Sequence, residues 1–165
     1  MKQLIRTLVL FMFIFTLGLD GMAVLKVKFR ILDDAQNVMK GMTIRLYDKN
    51  DIIEEIQKAG PSISFELQEE TIYTIEVELQ GFVTKRVMVV TDLLGDVEDV
   101  YRFEIRLERQ VDYRGIRNAD DFFEYPSAII EMDTNSGVFN YNETYLLSTQ
   151  KAIRELYESG REIKF

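Results

Sequence analysis

The chain has 165 residues, 28 acidic against 20 basic, for a net charge of −8, and contains no His and no Cys. Without those residues, Ser-His-Asp and Cys-His hydrolases, His- or Cys-ligated zinc and copper, and any disulfide framework are excluded. Lys and Arg alternate with acids along the chain instead of clustering, so nucleic acid and anionic membrane surfaces are poor partners: phosphates are held by grouped cations.

Residues 1–23 read as a secretory signal peptide. Lys2 and Arg6 precede an almost unbroken apolar run from Leu8 to Leu19, and Gly21 and Ala23 put small side chains where a signal peptidase cuts. The run is shorter than the roughly 20 apolar residues that cross a bilayer, and Gly18, Asp20 and Gly21 interrupt its end. Cleavage after Ala23 removes Lys2, Arg6 and Asp20, leaving 18 basic and 27 acidic residues and a charge of −9. No Cys follows to carry a lipid, so the expected product is exported, is not inserted in a membrane after cleavage, and folds on packing alone.

From Val24 onward the hydrophobic period is two. Leu25, Val27, Phe29 and Ile31 alternate with Lys26, Lys28 and Arg30, the pattern of a strand with one buried and one wet face. A loop over 33–41 follows, then a second strand on Met42, Ile44 and Leu46, closed by the turn residues Asp48, Lys49, Asn50 and Asp51. Residues 52–58 suit either one helical turn or a short bulged strand, and the strand is favoured. Further strands are expected on Ile63, Phe65 and Leu67, on Tyr73, Ile75, Val77 and Leu79 up to Gly81, over 83–90, and on Tyr101, Phe103, Ile105 and Leu107. Six or seven short strands at this spacing predict an antiparallel β-sandwich of transthyretin-like or Ig-like type.

The pattern changes at Arg109. Residues 110–124 lack a period and read as a connection with a short helix over 119–123. One more strand is expected on Ala128, Ile130 and Met132, then a hairpin turn through Thr134, Asn135, Ser136 and Gly137 into 138–141. Asn140 with Glu143 three residues on reads as a capping box for a helix over about 141–158. Its apolar stripe is Tyr145, Thr149, Ala152, Ile153 and Leu156, and Gly160 stands where a C-terminal cap belongs. The expected division is a leader over 1–23, a sandwich over 24–108, and a connection, hairpin and helix over 109–165 packed on it.

Two resemblances add to this reading. The segment from Tyr73 to Phe82, an aromatic-led strand closed by Gly81-Phe82, resembles the carboxypeptidase regulatory-like domains, which are transthyretin-like sandwiches. In the tail, Phe122-Phe123-Glu124-Tyr125-Pro126-Ser127-Ala128 followed by Gly137-Val138-Phe139-Asn140-Tyr141 is similar to the C-terminus of small envelope proteins from Gram-negative bacteria that use type IX secretion. Ser127 stands where that pattern has an apolar residue. The resemblance implies a periplasmic or cell-surface setting in such a bacterium and no enzyme activity, cofactor or ligand.

Candidate sites are few. Phe122, Phe123, Tyr125, Tyr141 and Tyr145, with Phe139, either seal the tail onto the sandwich or form a partner-binding surface, since aromatics are enriched at binding hot spots. Asp133 to Gly137 invites a calcium loop but misses the EF-hand spacing, with Gly137 at position 5 and Thr144 at position 12. Asp48 to Asp51 and Asp96 to Asp99 could share a surface calcium ion, and Asp120 with Asp121 could serve a glycosidase. The reading this supports is a non-catalytic, exported adaptor, with no cofactor or metal, that binds another envelope protein. A glycan- or calcium-binding module is the alternative, and a carboxylate-based hydrolase stands behind it.

Overall fold

The computed structural model describes residues 24–92, 100–113, 116 and 122–161. The leader at 1–23, the acidic run at 96–99 and the pair Asp120 and Asp121 lie outside these residues.

Two sheets form a sandwich. The smaller holds β4 (Ile63–Gln68), β1 (Val24–Leu32) and β7 (Val100–Arg106) in that order. The larger runs β3 (Asp51–Ile56), β2 (Thr43–Asp48), β5 (Ile72–Glu78), β6 (Lys85–Val90), β8 (Ala128–Asp133) and β9 (Val138–Tyr141). The alternation read from the sequence sends one set of side chains between the sheets. Leu25, Val27, Phe29, Ile31, Phe65 and Leu67 meet Ile44, Leu46, Ile75, Val77, Val89 and Ile130, all buried. Phe29 stands at the centre with its ring 5.1 Å from Phe103 and 5.9 Å from Phe65.

The expected sandwich is present, with two parallel pairings in it. β1 pairs antiparallel with β4 and parallel with β7, and β6 pairs parallel with β8. In each case the chain crosses to the other sheet before it comes back to run alongside in the same direction, which a period-two pattern does not record. The C-terminal hairpin is therefore part of the larger sheet and carries it two strands further. Residues 51–56 are a strand, and the ladder slips where Leu46 faces Glu54 while Tyr47 faces Ile52, leaving Ile53 as the bulged residue.

The helix α1 (Glu143–Arg161) follows β9. Its cap is Asn142, whose Oδ1 accepts from Tyr145 N at 2.8 Å, and not Asn140. The reason is the ladder: Asn140 is still paired opposite Glu131 in β9, so the helix cannot begin until two residues later. Gly160 likewise lies within the helix, which runs on to Arg161. The predicted stripe of Tyr145, Thr149, Ala152, Ile153 and Leu156 is half-buried throughout, and Leu146 joins it against the main core. Among the described residues no helix is long and apolar enough to cross a membrane.

Candidate functional site

The outer face of the larger sheet carries its least ordinary chemistry. Strand register places Glu55, Arg45, Glu76 and Arg86 side by side across β3, β2, β5 and β6. Arg45 Nε donates to Glu55 Oε2 at 2.8 Å, and its Nη1 reaches Glu76 Oε1 and Glu78 Oε2, both at 2.8 Å. Arg86 takes the other side of Glu76, with Nε at 2.8 Å and Nη2 at 2.7 Å from Oε2. Tyr47 Oη adds a bond to Glu76 Oε1 at 3.2 Å.

Glu76 is only 5% exposed. Burial alone would raise its carboxyl, but the hydrogen bonds from Arg45 and Arg86 outweigh it and hold the group below the usual carboxylate range. Arg45 is pushed up by its bonds to Glu55, Glu76 and Glu78, so it stays charged. Burial, then the Glu76 charge, raises the Tyr47 phenol. Both oxygens of Glu76 are thus engaged by donors.

The next row on this face is apolar. Ile52, Tyr47, Thr74, Met88 and Ile129 follow one another across β3, β2, β5, β6 and β8, with Ile72 opposite Val90 one row on. Ile52 is 52% exposed and Ile72 41%, while the others are half-buried. An ionic row beside an apolar row gives the face a charged rim and a greasy centre.

The aromatic residues singled out in the tail are divided between different environments. Phe123 sits under Lys85, whose Nζ is 5.3 Å from the ring centre, and packs edge-on to Tyr113 at 4.7 Å and Phe122 at 5.5 Å. Lys85, 4% exposed, also pairs with Glu108 at 2.7 Å, and Tyr113 Oη donates to the same carboxylate. Arg86 Nη1 donates to the carbonyls of Phe123 and Glu124 at 3.1 and 3.2 Å, which ties this connection to the ionic row. With Val83, Ile116, Leu156 and Tyr157 these rings make a second small core where the helix end meets the sheet. Tyr141 packs against the main core and donates to Glu104 O at 3.4 Å, and burial raises its phenol. Tyr145 donates to Pro126 O at 2.6 Å. Tyr125 alone stands out, at 70% exposed.

A polar cleft of about 680 Å³ lies between the hairpin and the start of α1, lined by Asp92, Glu131, Asp133, Asn135, Asn142 and Glu143 among others. Its carboxylates are partly committed. Asp133 Oδ1 accepts from Asn135 N at 2.8 Å and Ser136 N at 3.4 Å, which lowers its carboxyl, and Glu131 Oε1 accepts from Asn142 Nδ2 at 2.8 Å. Asp48 accepts from Thr71 Oγ1 at 3.2 Å beside the tight β2–β3 turn, where Lys49 takes a positive φ of 54°. Among the described residues no three acidic side chains are grouped to hold a metal ion.

No protein family and no curated protein matches the chain. Among solved structures it is similar to the Bacillus anthracis TIE protein at 18% identity and a TM-score of 0.38, over 53% of this chain and 17% of that one. It is similar to BcpA, the major pilin subunit of Bacillus cereus, at 15% and 0.37, over 53% and 29%. It is also similar to chlorocatechol 1,2-dioxygenase from Pseudomonas putida at 10% and 0.38, over 57% and 64%. The chain thus spans less than two thirds of each of these chains, and similarity this low carries no function across.

The ionic row and the apolar row were both missed by the sequence reading. Arg45, Glu76, Arg86, Met88 and Ile129 are merely the outward positions of their strands, and only strand order makes them neighbours. The one signal available was the outward apolar residue: Ile52, Ile72, Met88 and Ile129 break the wet side of the alternation.

Proposed function

We propose that the chain is a non-catalytic, transthyretin-like sandwich, exported to the envelope of a Gram-negative bacterium, where it serves as a protein-binding or structural adaptor. The observation that carries this is the outer face of the larger sheet, where the apolar row from Ile52 to Ile129 adjoins the rigid ionic row of Arg45 and Arg86. Protein interfaces pair a dry centre rich in aromatic, Met and Arg side chains with a polar rim. The neighbouring edge strand β3 is bulged and carries Asp51, Glu54 and Glu55, features that discourage strand addition, so the face is the better surface for a partner. Against catalysis, the buried carboxylate and the buried amine among the described residues, Glu76 and Lys85, are spent on ion pairs.

The test is capture of a partner from envelope extract by the tagged chain, repeated with Ile52→Lys and Ile72→Lys together. Retention is expected to fall at least about tenfold in the double variant while circular dichroism stays unchanged. Recovery of the wild type only as a lone monomer, or capture that survives both lysines, overturns the proposal.

The cleft beside the hairpin favours a second reading, a small glycan-binding module, because its acid and amide side chains suit sugar hydroxyls. A thermal shift with millimolar glycans, with and without calcium, tests it, and no shift for any of them overturns it.

A further inference from the structure

We infer that the outer face of the smaller sheet is a binding strip for a linear acidic polysaccharide. Lys26, Lys28 and Arg30 stand two residues apart along β1, about 6.6 Å per step, and Arg102 and Arg106 continue the strip on the neighbouring strand β7. Among the described residues the face holds five cations against two acids, Glu66 and Glu104, in a molecule whose net charge is −8. Those two acids are taken: Lys26 pairs with Glu66 at 3.1 Å, and Arg30 pairs with Glu104.

Between these two paired rows lies a third, Ser64, Lys28 and Arg102, in direct register. Lys28 and Arg102 are like charges opposite each other, an arrangement that weakens a sheet, and neither has an acidic partner among the described residues. A bound anion would relieve that repulsion. Between them and the end of β4 opens a hollow of about 360 Å³, lined by Lys28, Arg30, Ser62, Arg102 and Glu104 along with Phe29 and Phe103.

The chemistry of the strip selects the ligand. Phe29 and Phe103 are buried and turned inward, so the strip has no exposed ring on which a nucleic-acid base could stack. It has no apolar centre for a folded protein either. What it offers is regularly spaced cations with serine hydroxyls beside them, which fits a hydrophilic chain that repeats a carboxylate or sulfate. The acidic remainder of the molecule confines such a chain to this face.

The experiment is a binding titration of the protein with polygalacturonate and dextran sulfate, with neutral dextran and a dT oligonucleotide as comparators. Binding to an acidic polysaccharide and not to neutral dextran is expected. With about three uncompensated cations, affinity should drop about 20-fold or more between about 50 and about 200 mM salt. Lys28→Glu with Arg102→Glu should abolish binding. Lys28→Gln with Arg102→Gln should weaken it at least about fivefold while the protein melts no lower than the wild type, since the repulsion between the two cations is gone, and Lys151→Glu on the exposed side of α1 should leave it alone. No binding to either acidic polysaccharide, binding indifferent to the Lys28 and Arg102 variants, or tighter binding to the oligonucleotide overturns the inference.

Discussion

On the smaller sheet the outward side chains stand in water, and its ion pairs are solvated: Lys26 with Glu66 and Arg30 with Glu104 are each about half exposed or more. On the larger sheet the outward Glu76 is sealed between two arginines, and Arg86 also holds the connection leading to β8 by its carbonyls. The same charge types on the same alternating code thus have different energetic weight. An exposed pair gives back in side-chain entropy and salt screening most of what it gains, whereas a buried carboxylate that loses its cations leaves a desolvated charge behind.

The largest effect that would sharpen this contrast is Glu76→Ala, which takes from Arg86 its carboxylate and leaves Arg45 with Glu55 and Glu78 alone. It should cost about 3 kcal/mol or more in denaturant unfolding, against less than about 1 kcal/mol for Glu104→Ala. Equal costs would break the comparison. The acid limb follows from the same residue. Because its folded pKa is depressed, its contribution is complete above the unfolded value near 4.5 and is lost as pH falls through the folded one, so the Glu76→Ala protein should show a flatter acid limb.

The inner side of the smaller sheet has the opposite dependence. Burial, with Tyr141 nearby, pushes the Tyr101 phenol up to about 12 from 10.0. A raised folded value means stability is complete below pH 10 and falls as pH climbs toward 12, by on the order of 2 kcal/mol. Tyr101→Phe should remove that alkaline loss in a thermal melt, and an unchanged alkaline limb would refute the assignment.

Smaller still is Asn142→Ala, expected to cost about 1 kcal/mol through the lost cap, while Asn140→Ala should cost less than half as much. A reversal of that order by chemical denaturation would restore the capping box first read from the sequence. Least of all, Glu66→Gln on the exposed face should move stability by no more than about 0.5 kcal/mol.

The strands were legible where burial on one face imposes period two; the ambiguous stretch from Ile52 onward, exposed almost throughout, lacks that period and is a strand through its pairing with β2. Positions set by pairing were not. Asn140 and Asn142 are the same residue type two apart, and only the β9 ladder decides which is free to cap. The tail aromatics were legible as a group, but whether a ring is internal depends on what lies across from it: Phe123 meets Lys85 and Tyr113, while Tyr125 two residues later meets water.

By itself, the order of residues determined that this is a sandwich with a hairpin and helix after it, that it carries no disulfide, and that His and Cys chemistry is closed to it. Hydrophobic period and composition are local, and they survive in a one-dimensional reading. Which outward side chains become neighbours was decided only by tertiary structure. Strand order brought Arg45, Glu76 and Arg86 together from three separate segments, and laid Lys28 beside Arg102 from 74 residues away, the same separation that spans the Arg30 to Glu104 pair. Charges act through space, so a chain whose cations look dispersed along its length gathers them on one face once its strands are paired.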